Sequence, residues 1–140
     1  MATNFTFHNE QYTIKLNHWV VMTVLPEKFD LRLLKLMADD EQTQIILGRL
    51  ALDDELIIDL MWYYMEETTS FTKEETLKKL EPRDITEFRE AFWKEIAHFS
   101  GPLKQEALLQ GWKETKRFLK KATLDFSHLD SQVEESNSES

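Results

Sequence analysis

Ile85-Thr86-Glu87-Phe88-Arg89-Glu90-Ala91-Phe92-Trp93-Lys94-Glu95-Ile96-Ala97-His98-Phe99, closed by Ser100-Gly101-Pro102, carries the clearest helical pattern in the chain. Ile85, Phe88, Phe92, Ile96 and Phe99 step by three or four residues, the spacing that lines up side chains on one face of an α-helix. Asp84-Ile85-Thr86-Glu87 fits a loose capping box with Asp84 as the cap. Gly101 accepts a left-handed cap and Pro102 cannot continue the ladder, so the helix stops there. A helix with so apolar a face must bury it, and the rest of the chain is read for what it packs against.

Toward the C-terminus a last helix is expected from about Pro102 to Ala122. Leu108, Trp112, Thr115 and Leu119 lie along one face of it, and Lys113, Lys116 and Lys120 along another. The segment from Asp125 onward, DFSHLDSQVEESNSES, is acidic, Ser-rich and poor in apolar residues, which predicts a disordered tail over 123–140. Residues 1–122 then form a single domain.

Toward the N-terminus, Thr72-Lys73-Glu74-Glu75 is a capping box that opens a short helix to Leu80, with Pro82 just beyond. Asp53 or Asp54 caps a helix on which Ile57, Leu60, Met61 and Tyr64 form the apolar stripe. Ile45, Ile46 and Leu50 suggest a helix from about Glu41 to Ala51. From Phe29 the pattern is again helical, with Leu33, Leu34 and Met37 on one face and an end near Asp39-Asp40. His18 to Leu25 stays open: its valines and threonine favour a strand, no clean alternation supports one, and Pro26 closes it. Phe5, Phe7, Tyr12, Ile14 and Leu16 alternate across the polar His8-Asn9-Glu10-Gln11, the pattern of a β-hairpin. One hairpin is marginal in water, so it must pack on helices or join another sheet. The fold class is α+β, mainly α: an N-terminal β-hairpin followed by a compact bundle of about five to six helices.

Composition removes several functions. The absence of cysteine excludes disulfides, thiolate catalysis and Cys-based zinc sites. A net charge of −9 argues against nucleic acid as a partner, because phosphate binding needs an excess of Lys and Arg. No apolar run approaches the roughly 20 residues that span a bilayer, so no membrane partner is expected. The opening MATNFTFHNEQ does not read as a secretory signal. With glycine only at 48, 101 and 111, neither a dinucleotide fingerprint nor a P-loop can be written, and no nucleophile elbow occurs. The charge is uneven: Asp39 to Glu67 is acidic apart from Arg49, whereas Lys104 to Lys121 is basic. The two regions could attract each other within one copy or between copies.

The best metal candidate, Glu95-Ile96-Ala97-His98, has the Glu-x-x-His spacing of di-iron bundles. It occurs once, and Glu95 and His98 flank the buried Ile96 face, so a structural or surface role is expected. Paired carboxylates at Asp39-Asp40 and Asp53-Asp54 sit where helix capping explains them, but Glu66-Glu67 falls near a helix C-terminus, where the dipole opposes it. No catalytic site, cofactor or metal follows. Trp62-Tyr63-Tyr64 points three aromatics in different directions, of which Trp62 and Tyr63 lie off the apolar stripe. Packing against a neighbouring helix is one reading of Trp62, an interface the other. Trp62, Tyr63, Trp93 and Trp112 are the candidate protein-binding residues, chosen because Trp and Tyr are enriched at hot spots.

Phe5-Thr6-Phe7 with Tyr12-Thr13-Ile14-Lys15-Leu16, then Asp53-Asp54-Glu55-Leu56-Ile57-Ile58-Asp59-Leu60-Met61-Trp62, then Glu90-Ala91-Phe92-Trp93-Lys94-Glu95-Ile96, give a layout over Phe5 to Ala122 that resembles the tail assembly chaperones of long-tailed bacteriophages. The resemblance implies a non-enzymatic protein of the host cytoplasm that coats the helical tape-measure protein until the tail tube polymerises around it. It also implies a longer, frameshifted form that recruits tail tube protein, and self-association as a homo-oligomer. The competing expectation is a small acidic helical adaptor or inhibitor whose surface imitates nucleic acid.

Overall fold

The computed structural model describes the backbone of residues 3–36 and 41–138, and the side chains as far as Lys121, Leu103 excepted. An antiparallel hairpin of β1 (Thr3–Phe7) and β2 (Glu10–Ile14) leads into six α-helices. These are α1 (Leu25–Phe29), α2 (Glu41–Leu52), α3 (Asp54–Met65), α4 (Lys73–Lys79), α5 (Pro82–Phe99) and α6 (Pro102–Ser138). The chain is therefore α+β and mainly α.

The hairpin turn is tighter than the polar tetrapeptide suggests. His8 and Asn9 alone form it, at φ 47° and 67°, and Glu10 and Gln11 already belong to β2. Two left-handed residues match the twist of the flanking strands, and Asn adopts that conformation readily. Alternation then buries Phe5, Phe7, Tyr12 and Ile14 on one face. That face packs on α5, where the Phe5 ring meets Phe88 edge-on at 5.0 Å and stacks on Tyr12 at 5.3 Å. The hairpin is stabilised by helices and not by a larger sheet.

Residues 18–29 are helical, which settles the segment that the sequence leaves open. The Asn17 side chain accepts from the Val20 amide at 2.9 Å, and Val20–Val24 winds as a π-helical turn before α1. Val20, Val21 and Leu25 are buried while Trp19 and Met22 are exposed, so burial of one side overrides the strand preference of the valines. Pro26 lies in the first turn of α1 and does not close the segment. The helix ends instead at Asp30, left-handed at φ 50°, with the Leu31 amide donating back to the Leu25 carbonyl. Arg49 of α2 caps the freed carbonyls of Phe29 and Asp30. This break reduces the helix expected from Phe29 to a 3-10 turn, Leu33–Lys35, in which Leu33 is buried and Leu34 exposed. Met37 and the Asp39-Asp40 pair lie outside the described residues.

Asp53 caps α3 by accepting from the Leu56 amide, and Thr72 caps α4 by accepting from the Glu75 amide. The start of α5 differs from the expectation. Glu81 is the cap and Asp84 its reciprocal partner, accepting from the Glu81 amide at 2.9 Å, with Pro82 in the first helical position. Proline is favoured there because its missing N–H would be unpaired in any case. Arg89 joins α5 to its neighbours, donating to the Leu50 carbonyl and pairing with Asp54. Gly101, at φ 88°, separates α5 from α6. The backbone of α6 continues past Ala122 to Ser138, through residues for which a disordered tail is expected. No proline interrupts it after Pro102, and a helix nucleated against α5 propagates at little cost per residue.

Candidate protein-binding surface

The aromatic triplet on α3 separates as helical geometry requires. Tyr64 turns toward the hairpin and donates its hydroxyl to the Lys15 carbonyl at 3.3 Å. Burial, followed by its neighbours Tyr63 and Glu95, pushes the Tyr64 phenol well above its ordinary range. Trp62 is half-buried and packs on the edge of the core. Tyr63 meets Phe29 edge-on at 5.9 Å, and the Lys28 ammonium stands 5.4 Å from its ring centre. Trp62 and Tyr63 together line a groove of about 340 Å3 with Lys28, Asp59, Glu66 and Lys73. Tyr63 and Glu66 also border a second groove, of about 440 Å3, that runs along β2. Both grooves are open to solvent.

Trp93 and Trp112 belong elsewhere. They are 2% and 4% exposed, and their rings stack at 4.9 Å between α5 and α6. The Trp93 indole donates to the Leu108 carbonyl at 3.0 Å, and the Trp112 indole to Glu90 at 3.3 Å. Lys116 pairs with the other oxygen of Glu90 at 2.8 Å. Of the four residues singled out in the sequence, the structure thus brings Trp62 and Tyr63 to one surface and commits Trp93 and Trp112 to holding two helices together.

An apolar groove that the sequence does not announce lies where the 3-10 turn meets the end of α5. His18, Leu33, Leu34, Leu36, Ile96 and Phe99 line it, together with the polar Ser100 and Lys104, around a volume of about 170 Å3, and the His18 ring meets Phe99 at 5.2 Å. Leu34 is 62% exposed, and in the helical segment that includes His18 the large side chains of Trp19 (68%) and Met22 (60%) also face solvent. The available signal was the unused side of an amphipathic turn, which only becomes readable once residues 18–29 are known to be helical.

Glu95 and His98 do not converge. Glu95 is buried, 2% exposed, and accepts from the Thr3 hydroxyl at 2.8 Å, whereas His98 is exposed. The expectation that both flank the buried face fails for Glu95, because the hairpin closes over it. Among the described residues no three of His, Asp and Glu gather as metal ligands would, and no helix is long and apolar enough to cross a membrane.

A polar cluster ties the hairpin to the loop before α4. Glu10 accepts from the hydroxyls of Ser70, Tyr12 and Thr69, and the Tyr12 hydroxyl also lies 2.9 Å from Thr69. These bonds, led by that of Ser70, hold the Glu10 carboxyl below its ordinary range, while burial pushes the Tyr12 phenol up. Comparison with family models, with curated proteins and with solved structures returns no match for this chain.

Proposed function

We propose that this chain is a non-enzymatic chaperone of phage tail assembly, the kind of protein its layout resembles, and that it holds apolar helical segments of the tape-measure protein in the host cytoplasm. The observation that carries the reading is the groove of His18, Leu33, Leu34, Leu36, Ile96 and Phe99, with Trp19 and Met22 exposed on the helical segment that includes His18. An amphipathic helix recognises such a groove by laying anchors at spacings of three and four residues into it. Large exposed apolar side chains gathered in one region mark interaction surfaces more often than isolated ones do. Trp62 and Tyr63 on α3 offer a second, more polar contact. A longer form of the protein would carry the module that recruits tail tube protein.

The test is co-expression with the tape-measure protein. The wild-type chain keeps that partner soluble and co-purifies with it at low and high salt, because apolar burial is little screened. The double variant Trp19→Ala, Leu34→Ser, both exposed positions, loses the complex while keeping its own helical circular dichroism. Retention of the complex by that variant overturns the groove as the binding surface. Capture of nucleic-acid-binding proteins alone, and only at low salt, would replace the chaperone reading with the acidic mimic.

A further inference from the structure

The hairpin has two outer edges, and its geometry says which backbone groups they present. In an antiparallel pair, opposed residues alternate between those that exchange both ladder bonds and those that exchange none. A two-residue turn with both φ angles positive makes its flanking pair, here Phe7 and Glu10, a bonded one. By the register, Phe5–Tyr12 and Thr3–Ile14 are also bonded, and Asn4–Thr13 and Thr6–Gln11 are not. The Thr13 hydroxyl donates to the Asn4 side chain at 2.9 Å, as suits a non-bonded pair, in which side chains stand closest. Gln11 and Thr13 therefore turn their N–H and C=O groups away from β1. Among the described residues no backbone or side-chain group takes them up.

That edge of β2 borders the groove of about 440 Å3, and the opposite wall is the last turn of α3. Glu66 and Glu67 stand there, exposed, at the helix end where unpaired carbonyls already concentrate negative charge, and although Lys15 also lines the groove the acids outnumber it. Neither carboxylate has an ion pair or hydrogen bond among the described residues. Their position opposes the helix dipole, so helix stability gives no reason for them. The edge of β1 is different. The groove beside it sets Lys94 against Glu87, and its other acid, Glu90, is already taken by Lys116 and Trp112, so no acid is left in excess there. Pairing of β2 with β2 of a second copy is disfavoured too, because it would gather Glu66 and Glu67 of both copies along one seam.

We propose that the free edge of β2 and the acidic end of α3 form a docking site for an extended, lysine- or arginine-bearing segment of a partner protein, added as a third strand. Main-chain bonds to Gln11 and Thr13 supply the register, and alternate basic side chains of the incoming strand meet Glu66 and Glu67. This site is separate from the groove of Leu34 and Phe99 and stands or falls without it.

The probe is a fluorescein-labelled peptide of alternating lysine and valine, titrated into the full chain. Binding is expected to slow amide exchange at Gln11 and Thr13, and to vanish for the same peptide N-methylated throughout or carrying glutamate for lysine. Glu66→Gln with Glu67→Gln, both exposed, should weaken binding about tenfold at low salt. Thr13→Pro removes one outward donor without breaking a ladder bond and should weaken it also. Absence of binding overturns the proposal, as does unchanged exchange at Gln11 and Thr13, equal binding of the N-methylated peptide, or an unaffected double glutamine variant.

Discussion

Glu10 gathers three hydroxyl groups around one carboxylate, and its pKa falls below the ordinary 4.5 because each of those bonds favours the charged form. The consequence for stability has a definite sign. With the folded value below the unfolded one, the contribution is complete above the unfolded pKa and is lost as pH falls through the folded pKa. Thermal midpoints of the wild type and of Glu10→Gln, followed from neutral pH into acid, should differ most above pH 4.5 and draw together below it. Thr76 presents the opposite case: its hydroxyl is buried in α4 with no hydrogen-bond partner among the described residues. Thr76→Val removes an unpaired polar group at constant shape and should raise stability by about 1 kcal/mol, read as a higher denaturant midpoint at unchanged slope.

Helix α5 is the element on which the others converge, because it meets the hairpin through Phe88, α3 through Tyr64 and α6 through Trp93. Phe88→Ala should cost about 3–5 kcal/mol, from lost transfer energy and the cavity left under the hairpin, and urea unfolding would measure it. The buried face of α5 is legible in the sequence because Phe88, Phe92 and Ile96 repeat at helical spacing. Its first turn is less so, since Glu81 is a rare cap and the pairing with Asp84 is what makes it one. Residues 18–29 resist reading for a different reason: their valines favour strands locally, and only burial of Val20, Val21 and Leu25 decides for a helix. Glu95 is likewise decided at a distance, by Thr3 on a strand ninety-two positions away. The aromatic candidates divide because tryptophan is common in both cores and interfaces. Residue type alone could not separate Trp62 from Trp93 and Trp112.

At the scale of the whole molecule, the two grooves proposed as docking sites arise where elements distant in sequence meet, which is why periodicity within one element gives no view of them. The apolar groove joins the 3-10 turn to the end of α5, and the acidic groove joins β2 to the end of α3. As proposed docking sites the two would take different ligands with different salt responses, so one titration series at rising ionic strength should separate them: a basic strand would be released while an apolar helix stays. Helix α6 is held to the body of the protein by Leu108 and Trp112, both buried, and by the pairing of Lys116 with Glu90. The stacked indoles of Trp93 and Trp112, 4.9 Å apart and inclined by 22°, are close enough for their excited states to mix. The molecule therefore carries its own optical gauge: a split circular-dichroism band that survives as long as the last helix stays docked, and collapses to two independent chromophores when it swings away.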